Sequence, residues 1–188
     1  MKEVQIKGVD SFLTKDDLSS LEGVTRLVIG EGIVHLDKDL FESLSSLEEV
    51  VLPSTIKIIG DGCFEDCIHL SKINIPEGTL SIGKYCFRGC GDLKEIILPS
   101  TIRDIKTCTF MDCVNLNNII FQEGLKYIEE RAFFGCSNLT EITLPKSLRK
   151  LATESFGQCK ALYHINVHSC VETSPDCFNS CPLISLES

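Results

Sequence analysis

Eleven cysteines in 188 residues are the side chains with the most chemistry open to them. Cys63/Cys67, Cys86/Cys90 and Cys177/Cys181 have C-x3-C spacing, within the range of zinc-ligand spacings. A zinc site needs four converging ligands, so a partner pair would have to come from another part of the chain. Histidine does not supply a recurring set, because His69 and His164 fall at unlike places relative to the cysteine pairs. Disulfides are a second option. An odd count leaves at least one thiol over in any monomeric scheme, and a reducing cytosol disfavours them. Nucleophilic catalysis is a third: His164 and His168 lie close in sequence to Cys170. However, the four histidines (His35, His69, His164 and His168) form no repeated pair with Asp or Ser. The chain also lacks G-x-S-x-G, a phosphate-binding loop, HExxH, and GxGxxG followed by a suitably placed acidic residue. The expectation is no enzyme: no catalytic residue, no metal site and no cofactor.

The cysteines are positioned by a period. Leu18, Phe41, Phe64, Phe87, Phe110, Phe133 and Phe156 are spaced by 23 residues, and Phe178 follows one residue early. Cys67, Cys90, Cys113, Cys136, Cys159 and Cys181 each lie three residues after a phenylalanine. Such a period marks a solenoid. A residue repeated at the solenoid period forms one stacked column, and free Cys packs as a small buried hydrophobe. A reduced core ladder therefore explains these six thiols more simply than metal or disulfide chemistry.

Within a unit, Leu70-Ser-Lys-Ile-Asn-Ile-Pro76 alternates apolar and polar residues as a strand does, and the proline ends it. Phe64 and Cys67 are three apart, as on one face of a single helical turn. Ile56 to Ile59 reads as loosely extended or 3₁₀-like. One unit offers about six large apolar side chains, each worth roughly 1.5–3 kcal/mol when buried. Ordering costs roughly 1–2 kcal/mol for every residue of the unit, so a single coil fails and stacked coils succeed. About eight parallel strands at about 4.8 Å per coil would make a sheet roughly 35–40 Å long.

Residues 1–23 read as an N-terminal cap carrying the first strand, and residues 24–188 as the solenoid, within one domain. Thr14-Lys-Asp-Asp17 resembles a capping box and predicts a short helix from Thr14 to Leu21. At the other end, the unit begun by Phe178 and Cys181 runs out at Ser188. Its open coil would be an exposed edge, or be covered by a second copy or another chain.

The motif F-x-x-C-x-x-L-x-x-I-x-L-P-x-x-I-x-x-I, at Phe64–Ile82 and Phe87–Ile105, resembles the BspA-like, or treponemal-type, leucine-rich repeat. The resemblance runs from about Leu18 to the C-terminus. It implies a right-handed solenoid with a parallel sheet on the concave side and short helical, 3₁₀ or loop segments on the convex side. Members of the family are linked to cell-surface adhesion or protein binding. Gln122 and His168 depart from the motif's proline, Ser174 from its isoleucine, and Cys170 is off-pattern.

A net charge of −9 argues against nucleic acid, whose phosphates require clustered cations. No stretch has the roughly 20 apolar residues needed to span a bilayer, and the polar N-terminus has no signal-peptide core. A cytoplasmic location is the default expectation, with the cell surface as the alternative. Two outward columns are the candidate partner-binding strip. One holds Arg26, Glu49, Lys72, Glu95, Asn118 and Glu141, flanked by Glu3 and His164. The other holds Val28, Val51, Asn74, Ile97, Ile120 and Thr143, flanked by Gln5 and Asn166. The expected role is a non-enzymatic scaffold binding a protein partner on the concave sheet. The alternatives are an adhesin-like protein binding host or matrix glycoprotein, and self-assembly through the C-terminal coil.

Overall fold

The computed structural model describes residues 2–7, 11–18, 20–182 and 185–187. The end of the last unit at Ser188 lies outside them, as does Ser19 within the expected N-terminal helix. The chain winds into stacked coils, each contributing one strand to each of two parallel sheets. The first sheet runs through Glu3–Ile6, Arg26–Ile29, Glu49–Val51 and Lys72–Ile73. It resumes as the pair Glu95–Ile97 and Asn118–Ile120, and again as Glu141–Thr143, His164–Asn166 and Ser185–Glu187. Partners lie one period apart, as in Glu3↔Arg26 and Arg26↔Glu49. Leu27, Val50, Ile96, Ile119, Ile142 and Ile165 point inward and are buried.

The second sheet is built from two-residue strands, and of the two readings left open by the sequence it is the extended one that holds. The stretch expected as loosely extended or 3₁₀-like contains the strand Ile58–Ile59, paired with His35–Leu36 and Ser81–Ile82. Phe12–Leu13 completes that run, and a separate run holds Asp104–Ile105, Tyr127–Ile128, Lys150–Leu151 and Glu172–Thr173. Inward residues three apart, such as Ile56 and Ile59, leave two successive outward side chains between them. A period of two is therefore invisible.

The Phe-x-x-Cys segment is not a helical turn. From Phe41 to Phe156, residues two before and two after the column phenylalanine adopt left-handed backbone: Gly62 and Asp66 around Phe64, Cys108 and Asp112 around Phe110, Arg131 and Gly135 around Phe133. A left-handed residue cannot propagate an α-helix. The conformation turns alternate N–H groups toward the next coil instead. Gly62, Phe64 and Asp66 donate to the carbonyls of Lys84, Cys86 and Arg88 at 2.7–2.9 Å. The coils thus carry a third hydrogen-bonded ladder where a short helical, 3₁₀ or loop segment was expected. Near the N-terminus, Asp17 closes a capping box on the Thr14 N–H at 2.8 Å and on its hydroxyl at 2.7 Å. The expected helix from Thr14 to Leu21 is only a 3₁₀ turn at Lys15–Asp17, because Leu18 is already extended.

Two columns fill the core. Phe41, Phe64, Phe87, Phe110, Phe133 and Phe156 are fully buried and stacked at centroid separations of 5.1–5.6 Å, and Phe178 continues the stack at 5.9 Å. Beside them the thiols of Cys67, Cys90, Cys113, Cys136, Cys159 and Cys181 each donate to the carbonyl of a column phenylalanine in the preceding coil, at 2.9–3.2 Å. The expected ladder is thus a hydrogen-bonded one as well as a packed one. All eleven cysteines are free, and no group of three or more metal-ligating side chains converges among the described residues. The shortened last interval leaves the ladder intact: Glu172 still pairs with Lys150, and Ser185 with His164.

Three outcomes follow from these columns. Cys113→Ala should lower unfolding free energy by about 1–3 kcal/mol in urea titration, because it removes a donor from the buried Phe87 carbonyl. Cys113→Ser should cost less, whereas a purely packing role would reverse that order. Burial pushes the Cys67 thiol up to about 12 and raises Cys86 and Cys113 further. Their folded pKa values lie above the unfolded value of about 8.5, so the stability they contribute is complete below that pH and lost as pH rises toward 12. Each such thiol should cost about 1.4 kcal/mol per pH unit in that window, and reduced protein carrying Cys67→Ala should show a shallower slope. Gln158 holds φ of +58°, where Gly89 and Gly135 stand in other coils. Gln158→Gly should raise stability by about 0.5–1 kcal/mol, the left-handed penalty less the entropy glycine loses on folding.

Candidate binding face

The two outward columns of the first sheet lie where the period places them. Arg26 sits opposite both Glu3 and Glu49, and its guanidinium bonds both carboxylates, Glu49 at 3.1 Å. Hydrogen bonds from Gln5 and Arg26 hold the Glu3 carboxyl below its ordinary range. The opposite signs of Glu3, Arg26 and Glu49 along this column therefore close into ion pairs around Arg26. The pattern stops there: the sheet is interrupted after Lys72–Ile73, so Lys72 and Glu95 are not strand partners. Asn74 lies just past the end of its strand rather than within it.

The interruption opens a cleft of about 300 Å³ lined by Glu49, Val51, Leu52, Lys72, Asn74 and Glu95. A second interruption, between Asn118–Ile120 and Glu141–Thr143, opens one of about 490 Å³ lined by Asn117, Asn118, Ile120, Phe121, Glu141 and Thr143. Ile97 and Ile120 stand between the clefts as direct strand partners, 52% and 41% exposed, while Val28 and Val51 are half-buried. The apolar column is thus most open at Ile97 and Ile120.

Sequence reasoning missed the residues one position earlier in each strand. Asn117 and Thr140 line the second cleft. Tyr163, 40% exposed, donates its hydroxyl to Glu141. The signal was available: this position is outward in coil after coil, and Thr25, Glu48, Ser71, Lys94, Asn117, Thr140 and Tyr163 occupy it. Leu52 was not flagged, because the repeat marks its position as core.

Near the C-terminus, the partners of Cys170 and His168 are different residues. Cys170 is exposed, and the Arg149 guanidinium lies beside its thiol at 3.7 Å. His168 Nε2 instead faces the Asn166 amide at 3.4 Å. No helix among the described residues is long and apolar enough to cross a membrane.

Several bacterial solved structures share this architecture. The chain aligns with a T. pallidum leucine-rich repeat protein at 26% identity and a TM-score of 0.77, covering 86% of this chain and 77% of that one. A leucine-rich cell surface protein from Faecalibacterium prausnitzii aligns at 24% identity and 0.72, over 87% of this chain and 42% of that one. A Eubacterium ventriosum leucine-rich repeat protein aligns at 22% and 0.78, over 86% and 44%. The chain therefore spans less than half the length of the latter two, and at these identities they share its fold alone. No curated protein matches it. The model of the BspA type leucine rich repeat region matches six copies across residues 17–111 and 80–187. With that match spanning the phenylalanine and cysteine columns from the second coil onward, the chain belongs to the BspA-type leucine-rich repeat family.

Proposed function

We propose that the chain is a non-enzymatic scaffold that binds a protein partner on the first sheet, the one expected on the concave side. The observation that carries this reading is the in-register pair Ile97 and Ile120, exposed beside two clefts of mixed polar and apolar lining. Large apolar side chains in a sheet cost solvation when left in water, and covering them returns roughly 1.5–3 kcal/mol for a full burial. These two are about half exposed, so a partner would recover about half of that from each. The flanking clefts add carboxylates, amides and a lysine at fixed spacing, which is the usual arrangement of an apolar centre with a polar rim. A leucine-rich repeat presents such a surface as a rigid array, so little ordering entropy is lost on binding. An adhesive role at a cell surface would use the same face.

Ile97→Asp combined with Ile120→Lys tests the reading while keeping opposite charges in register on the strands. The variant should retain its circular dichroism spectrum and melting temperature. Proteins retained from native lysate by the immobilised wild-type chain should be lost, with a drop in affinity of about tenfold or more, equivalent to about 1.4 kcal/mol. Undiminished capture by the folded variant would exclude this face.

A further inference from the structure

The second sheet carries charges in the opposite way from the first. Arg103, Lys126 and Arg149 occupy one position in three successive coils, directly before the outward residues Asp104, Tyr127 and Lys150. Their backbones are joined by the ladder: the Lys126 N–H donates to Arg103 at 2.7 Å, and the Arg149 N–H to Lys126 at 2.8 Å. Two steps of about 4.8 Å put the outer cations about 10 Å apart at the backbone. Like charges directly opposite one another on neighbouring strands repel. An acidic chain has carboxylates to spare, and elsewhere this one uses them. Arg26, Arg88 and Arg131 are each paired with a glutamate one coil away. The two arginines of the chain that form no ion pair among the described residues are Arg103 and Arg149, and Lys126 between them forms none either. Two nearby anions are engaged elsewhere: Glu172 pairs with Lys150 at 2.7 Å, and Glu123 accepts the N–H groups of Lys146 and Ser147. Asp104, next in sequence to Arg103, forms no ion pair with the column among the described residues.

The column is also laid out along the solenoid axis. The Arg103 guanidinium lies over Gly124 of the next coil, in the space where a Cβ would stand. Apolar surface borders the cations: Leu80, 60% exposed, precedes Arg103 by one period, and Tyr127, 50% exposed, adjoins Lys126.

We propose that this column docks an acidic segment of a protein partner, in extended form along the coil axis. Its carboxylates would face Arg103, Lys126 and Arg149, and its apolar side chains would lie against Leu80 and Tyr127. An extended chain advances about 3.4 Å per residue, so three or four residues cover the three cations. Guanidinium forks suit carboxylates in geometry as well as charge. A long polyanion is the less favourable occupant, because it would meet the field of a chain whose net charge is −9.

Fluorescence anisotropy of a fluorescein-labelled Leu-Glu-Glu-Glu-Glu-Leu peptide against the full chain tests this. Saturable binding that weakens with added salt, and weakens by about tenfold or more in Lys126→Glu, is the expected result. That variant restores alternating sign between Arg103 and Arg149, so its melting temperature should stay level or rise, which separates lost binding from lost fold. The Ile97→Asp, Ile120→Lys variant should bind the peptide like the wild type. No binding, equal binding by Lys126→Glu, or loss in the first-sheet variant would each overturn the proposal. So would a heparin fragment or oligothymidylate that binds more tightly than the peptide and is released by Lys126→Glu, since the column would then be a polyanion site.

Discussion

The carbonyls of Phe41, Phe64, Phe87, Phe110 and Phe133 each accept two hydrogen bonds, and the coil depends on that double acceptance. At Phe64 the N–H of Cys67 closes the turn at 3.2 Å, and the thiol of Cys90 arrives from the next coil at 3.2 Å. Phe87 and Phe110 repeat the arrangement with Cys90 and Cys113, and with Cys113 and Cys136. One residue therefore acts twice, its backbone shaping its own coil and its side chain holding the previous one. Few side chains suit the position. A buried carbonyl left with an empty lone pair is costly, while a hydroxyl donor carries a larger desolvation cost than a thiol. Cysteine is small, mostly apolar and still a donor. The unit that begins with Leu18 has no phenylalanine, and there Leu44 stands in the cysteine position one coil on, with packing alone.

Much of this was legible because a solenoid turns sequence spacing into spatial register. Once Arg26 and Glu49 are one period apart, their opposition across the sheet follows, and so do the outward columns of the candidate face. What was hidden is conformation that residue type does not announce. Asp39, Tyr85, Cys108, Arg131 and Glu154 share a left-handed position that glycine holds only at Gly62. Tertiary hydrogen bonds from the N–H groups of Asp39, Tyr85, Cys108 and Arg131 to the next coil, such as Tyr85 to Thr107 at 3.1 Å, select the conformation over local preference. The N-terminal helix failed for the opposite reason. Its capping box is present, but a helix of two turns lacks the length to be stable alone, and the extended backbone at Leu18 ends it.

The interruptions of the first sheet were equally invisible. Lys72-Ile-Asn-Ile-Pro76 and Glu95-Ile-Ile-Leu-Pro99 read as the same strand, yet the ladder between them is open while their turns remain bonded. Ile73 is only partly buried where Val50 and Ile96 are fully so, consistent with that coil sitting slightly apart. No residue in the pattern accounts for the break.

Identical coils would present identical surfaces, so recognition by such a scaffold must reside where the columns depart from uniformity. The two sheets depart in different currencies. On the first, charge is closed into ion pairs around Arg26, and what stays open is apolar side chain beside the clefts. On the second, the apolar residues are scattered, and what stays open is positive charge that the acidic remainder of the chain leaves unneutralised. Hydrophobic contact supplies affinity with little direction, whereas charge supplies steering and register. A partner engaging both faces at once would have to wrap the coil; two partners, or two segments of one, can be held independently, because each repeat contacts only its neighbours and strain at one column does not travel far along the stack.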